Sequence, residues 1–192
     1  MYAREIGIPY EQLNLVVVHL GGGISVGAHC RGRVIDVNQG LDGDGPFSPE
    51  RSGTLPAGQL VALCFSGKYT HKEIAAMITG KGGLTALCNS NDVQQLVIDA
   101  QAGNQDTELA LEALCYQVAK EIGAMSAVLK GEVNCTILTG GIAHNAWITD
   151  RITQYVRFIA PVRIYPGEDE MASLAMDVQM ALDGEIEMKE YR

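Results

Sequence analysis

The stretch Val16-Val17-Val18-His19-Leu20-Gly21-Gly22-Gly23-Ile24-Ser25-Val26-Gly27-Ala28 constrains the fold of this chain more than any other. A β-branched run ends in three glycines, and a second segment of strand character, 24–30, begins at once. β-Branched side chains suit a pleated, half-buried surface, so both flanks predict strands. Three successive glycines leave backbone N–H groups uncovered and permit φ > 0, so the loop can wrap an anion closely. A dinucleotide fold would place a helix after such a loop. Here Arg31-Gly32-Arg33 predicts a turn instead, and Val34-Ile35-Asp36-Val37 a third strand. The expectation is a phosphate loop inside a β-meander. A tight hairpin without a ligand fits the same residues, and a second glycine turn far downstream weighs against it.

That second feature is Cys135-Thr136-Ile137-Leu138-Thr139-Gly140-Gly141-Ile142-Ala143-His144-Asn145. A short apolar strand runs into Gly-Gly, and Trp147, Ile148, Ile152, Tyr155, Val156 and Ile159 follow at helical spacing. Glycines at a strand-to-helix corner let a flat ring lie against the backbone, and the helix start offers unpaired N–H groups to phosphate. Two such turns on separate strands predict a nucleotide cleft.

The 192 residues carry a net charge of −9, without a basic stripe, which argues against a nucleic-acid partner. Cys30, Cys64, Cys88, Cys115 and Cys135 are odd in number and show no metal-ligand spacing, which predicts reduced thiols in the cytoplasm. Neither a signal peptide nor a run long enough to span a bilayer is visible, so no membrane partner is expected.

Residues 1–13 read as the end of a preceding domain or a linker, and 14–192 as one nucleotide-binding domain. Residues 40–56 read as a long functional loop, rich in Gly, Pro, Asp and Ser. Thr54 is the expected cap of the next helix, with Leu60, Val61, Leu63, Cys64 and Phe65 on its apolar side. Thr70-His71-Lys72-Glu73 predicts a capping box, with Ile74, Met77 and Ile78 facing inward. A loop at 81–84 and a short helix carrying Leu96, Val97 and Ala100 follow. Asp106 is the expected cap of a long helix reaching Gly131, apolar on much of its circumference and so buried or partnered. A strand at 162–165 and a last helix over 170–182 complete the reading.

In order along the chain stand His19-Leu20-Gly21-Gly22-Gly23, the run Asp42-Gly43-Asp44-Gly45-Pro46-Phe47-Ser48-Pro49-Glu50-Arg51-Ser52-Gly53, and Gly82-Gly83-Leu84 with Asn91-Asp92. Thr139-Gly140-Gly141-Ile142-Ala143-His144-Asn145 and Pro166-Gly167-Glu168-Asp169-Glu170 follow. Together they resemble the C-terminal half of butyrate kinases, within the acetate kinase family. The match covers almost the whole chain, and the 42–53 loop is its most specific part. The resemblance implies an α/β fold of the actin-like ATPase (ribonuclease H-like) class, a mixed sheet with flanking helices. It implies reversible transfer of the γ-phosphoryl of ATP to a short-chain carboxylate, butyrate or branched-chain, with ATP/ADP and Mg²⁺ as cofactors.

The resemblance gives His19 and Gly21, Gly22 and Gly23 contacts to the transferring phosphates. Arg51 matches the arginine that binds the carboxylate and stabilises the moving phosphoryl, a task that suits a planar guanidinium. Asp92 and the turn Gly140, Gly141, Ile142, Ala143, His144, Asn145 match the adenosine-binding segments. Where the family commonly has an Arg two positions after Asn-Asp, this chain has Gln94. Asp169 and Glu170 match the region of a magnesium-linked carboxylate, although an acidic helix start accounts for them equally. Groups that the family draws from its N-terminal domain have no counterpart here. That missing domain is an expected partner, and a homo-oligomer formed partly by the 106–130 helix is the expected assembly. The rival readings are a non-catalytic nucleotide-binding or dimerisation module, and another actin-like kinase; the Arg51 loop argues against the latter.

Overall fold

A computed structural model of the chain describes residues 1–167, 175 and 178–184. Strands β1 (Asn14–Leu20), β2 (Ile24–Cys30) and β3 (Arg33–Val37) form the expected antiparallel meander. The β2–β3 turn is two residues, Arg31 (φ 48°) and Gly32 (φ 82°). Positive φ at both positions matches the twist of the flanking strands. On the other side of β1, strands β4 (Cys135–Gly140) and β5 (Val162–Pro166) add in parallel, giving the mixed order β3-β2-β1-β4-β5.

Alternation along β1 separates two apolar faces. Val16, Val18 and Leu20 join the main core with Val26, Leu138 and residues of the helices α5 (Val93–Gln101), α6 (Gln105–Val128) and α7 (Ala146–Val156). Leu13, Leu15 and Cys135 form a smaller core on the opposite face, covered by Tyr2, Ala3 and Ile6 of α1 (Tyr2–Ile6). Residues 1–13 thus pack onto the sheet, and Glu5 bonds Tyr165 on β5. Burial of the thiol in that small core pushes the Cys135 pKa up.

Several local expectations change. Helix α2 (Ala57–Cys64) buries none of its residues, and Phe65 beyond it is 86% exposed. Thr54 does not cap it; its Oγ1 accepts from Gly45 N (2.9 Å), closing the 40–56 loop instead. The capping box of α3 (His71–Ile78) forms as expected and holds the Glu73 carboxyl below its usual pKa. Ile74 of that helix is buried, whereas Met77 is exposed. The segment read as a loop at 81–84 turns into helix α4 (Gly83–Cys88), with Gly82, Gly83 and Leu84 buried. Asn104, not Asp106, caps α6, accepting from Thr107 N at 3.1 Å. The described residues of the last helix, Ala175 and 178–182, are helical.

Candidate nucleotide cleft

Because β1 and β4 are parallel neighbours, with His19 paired to Thr139, their glycine turns leave the same end of the sheet side by side. Gly21, Gly22, Gly141, Ile142, His144 and Asn145 line one cavity of about 510 Å³ with Pro49, Glu50 and the 91–94 segment. Two helix starts open on it. Asp92 caps α5, accepting from Gln95 N (3.1 Å), and Asn145 caps α7, accepting from Trp147 N (3.0 Å). Helix starts carry partial positive charge, which suits an anionic ligand. Glu50 and Asp92 supply negative charge in the same cavity.

The 46–53 loop is the third wall, and its anchors explain its sequence. The Ser48 hydroxyl donates to Gly22 O (2.6 Å) and accepts from Arg51 N (3.1 Å). Leu84 N donates to Ser48 O (3.1 Å), and Gly80 N and Gly82 N donate to Glu50 O (2.8 and 3.2 Å). Gly83 (φ +58°) fits because a β-carbon there would overlap Ser48 O. Buried Asn38 ties down the loop entrance: its Oδ1 accepts from Val26 N (2.6 Å), and its Nδ2 donates to Ile24 O and Asp44 O (both 3.1 Å). Phe47, itself buried, donates its N–H to Gln117 Oε1 on α6 (3.1 Å).

Arg51 is half-buried beside the cavity. Its Nη1 donates to Gly40 O (3.0 Å), and its guanidinium lies directly on Gly23, where a β-carbon would overlap it. Gly22 and Gly23 stay out of the left-handed region. Gly23 therefore serves close approach rather than unusual backbone, whereas a β-carbon at Gly22 would make only an ordinary contact with Glu50 Oε2 (3.7 Å).

His19 is exposed at the C-terminal end of β1, between Ser25 and Thr139. Gly140 and Ala143 are buried; Gly140 (φ +92°) packs on the backbone of Leu20, so it shapes the turn from behind. Asp169 and Glu170 lie outside the described residues. Pro49, Glu50 and Val93 enter the cavity lining without having been singled out for it. Their signal was proximity in sequence to Arg51 and Asp92.

Residues 2–161 match the model of the acetokinase family. The chain belongs to the acetokinase family. It is 56% identical over 191 residues to a probable butyrate kinase of Phocaeicola vulgatus and 54% identical over 191 residues to butyrate kinase 2 of Clostridium acetobutylicum. In each case all of this chain aligns with 54% of the relative, so the chain spans about half the length of these curated relatives. Among solved structures, an acetate kinase from Porphyromonas gingivalis superposes with a TM-score of 0.81 at 22% identity, covering 93% of this chain and 52% of that one. An acetate kinase from Entamoeba histolytica gives 0.79 at 17% identity, covering 93% and 54%. These likenesses establish the fold, and the acetokinase domain here has the expected actin-like ATPase architecture.

Proposed function

We propose that this acetokinase-family domain is the nucleotide-binding half of a short-chain carboxylate kinase of the butyrate kinase type. That enzyme moves the γ-phosphoryl of ATP to a butyrate or branched-chain carboxylate, reversibly, giving acyl phosphate and ADP. The observation that carries the reading is the convergence of two glycine turns on one cavity, with Arg51 held against the first of them. The β4 turn and the 91–94 segment take the adenosine, and the Gly21–Gly23 loop and helix starts take the phosphates. Arg51 sits where the phosphate end meets open cleft, and it serves the carboxylate and the transferring phosphoryl together. Phosphoryl transfer depends on such positioning and charge more than on covalent chemistry. His19, at the rim of the same sheet end, completes this domain's share.

Within this reading Mg²⁺ accompanies the nucleotide. Among the described residues no group of three His, Cys, Asp or Glu side chains comes together to hold a metal, so these residues alone do not build its site. Asp169 and Glu170 are its proposed carboxylates. We place the enzyme in the cytoplasm; among the described residues no helix is long and apolar enough to cross a membrane. Self-association uses the outward face of α6, where Leu109 (70% exposed) and Tyr116 (50%) remain uncovered.

Gly141→Val tests the nucleotide assignment. No atom lies within 4 Å of a β-carbon at Gly141, and its φ is ordinary, so the fold accepts the substitution and the valine enters the cavity. Calorimetry with Mg²⁺ and ATP or ADP should show binding by the wild type and a loss of about tenfold or more in the variant. Equal binding by both would remove the adenosine assignment.

A further inference from the structure

We propose that Glu50 reads the sugar of the nucleotide: its carboxylate accepts a hydrogen bond from a ribose hydroxyl and selects ribonucleotides over deoxyribonucleotides. The inference rests on the nucleotide reading of the cleft. In that reading Gly21 and Gly22 take the phosphates, and the Gly141–Asn145 turn and the 91–94 segment take the adenosine; Glu50 lies between the two, its Oε2 beside Gly22 and its Oε1 bonded to Asn91. The part of a nucleotide that joins phosphate to ring is the ribose. An ionised carboxylate only accepts hydrogen bonds. Phosphate oxygens likewise only accept, so they repel it, whereas the ribose hydroxyls are donors.

Glu50 is held ready for one such donor. Asn91 Nδ2 donates to its Oε1 at 2.6 Å, fixing the plane of the carboxylate. Its Oε2 turns toward Gly22, 3.7 Å from where a β-carbon would stand, and has no hydrogen-bond donor among the described residues. The backbone beneath is pinned by Gly80 and Gly82, so the side chain is presented from a rigid base. Arg51, next in sequence, gives its guanidinium to Gly40 O and Gly23 rather than to the Glu50 carboxylate. Asp92 repeats the pattern: Oδ1 is taken by Gln95 N, and Oδ2 has no hydrogen-bond donor among the described residues. Two cavity-lining carboxylates, each with one oxygen anchored and one left to accept a further hydrogen bond, suit a vicinal diol.

The test is calorimetric titration of the 192-residue chain with ATP, 2′-deoxy-ATP and 3′-deoxy-ATP, in Mg²⁺ and again in EDTA. The wild type should bind at least one deoxynucleotide about tenfold or more weakly than ATP, as expected for a lost hydrogen bond to a charged group. Glu50→Ala should weaken ATP and leave that deoxynucleotide nearly unchanged, bringing the ratio close to one. Glu50→Gln keeps the shape and a weaker acceptor, so it should give an intermediate ratio, and it decides the matter if the alanine variant misfolds. Equal binding of all three nucleotides by the wild type overturns the proposal, as does a Glu50→Ala variant that discriminates against both deoxynucleotides as strongly as the wild type; loss of discrimination at one hydroxyl, with the other left to Asp92, supports it. A Glu50 effect that disappears in EDTA also overturns it, by assigning the carboxylate to a cation. Failure of the wild type to bind any of the three strikes the nucleotide reading itself, a different result from binding without sugar preference.

Discussion

At the scale of single residues, the contact of Arg51 with Gly23 makes the sharpest prediction. Gly23 has an ordinary φ, so alanine costs nothing in backbone strain, but its methyl group would overlap the guanidinium. Gly23→Ala should therefore push the flexible guanidinium aside and cost about 1 kcal/mol or less in urea unfolding, the worth of its hydrogen bond to Gly40 O, and that loss should vanish in an Arg51→Ala background. An undiminished cost in the double variant would show that the clash lies elsewhere. The sequence made Arg51 and both glycine turns visible, because their order and spacing are distinctive. It did not distinguish Gly140 from Gly141. Gly140 is required by the Leu20 backbone behind it, while Gly141 faces open space, and only a third dimension separates these roles. Glu50 escaped notice because a carboxylate in an irregular loop has no periodicity to betray it. Asn38 escaped for another reason: its three bonds go to backbone groups that come close only when the loop folds back on β2.

At the scale of elements, periodicity located the five strands of the described residues and the long helix, and the misreadings concern ends and faces. Asn104 and Asp106 are both good capping residues two positions apart, so composition could not choose between them. Gly103, at φ +101°, closes the preceding helix and leaves Asn104 in the extended conformation that a cap needs. Asn104→Ala should cost about 1 kcal/mol in urea denaturation, while Asp106→Ala should cost only a few tenths of that through the helix dipole. The reverse order would restore Asp106 as the cap. Leu60, Val61 and Leu63 predict an inward apolar side for α2, yet the helix buries none of its residues and contributes none to the main core. Apolar residues indicate that a face can be buried, not that this domain buries it.

At the scale of the molecule, the chain spans about half the length of its curated relatives, and the proposed reaction needs groups on both sides of a cleft. Acyl phosphate trapping with hydroxylamine should find little or no butyrate-dependent turnover by this chain alone. Several charge-stabilising groups are then absent together, and single electrostatic donors are each worth about two to three powers of ten. Activity should return on mixing with the remaining half of a relative and be lost again with Arg51→Ala. Robust turnover by the isolated chain would sink the argument for a missing half. Light scattering at micromolar concentration should give the mass of a dimer, and Tyr116→Glu on the outward face of α6 should give that of a monomer; a wild-type monomer would reject the proposed self-association.

The pairing of β1 with β4 also sets a timetable. Asn14 N donates to Asn134 Oδ1 (2.7 Å) across a separation of 120 residues, so the meander at the start of the chain must wait for β4 before the two glycine turns can meet. Contacts this distant in sequence are slow to form, and they form last on a chain emerging from a ribosome. A partly synthesised chain can possess the whole phosphate loop and still have no binding site. Nucleotide would then favour only the finished fold, drawing late intermediates toward it by mass action.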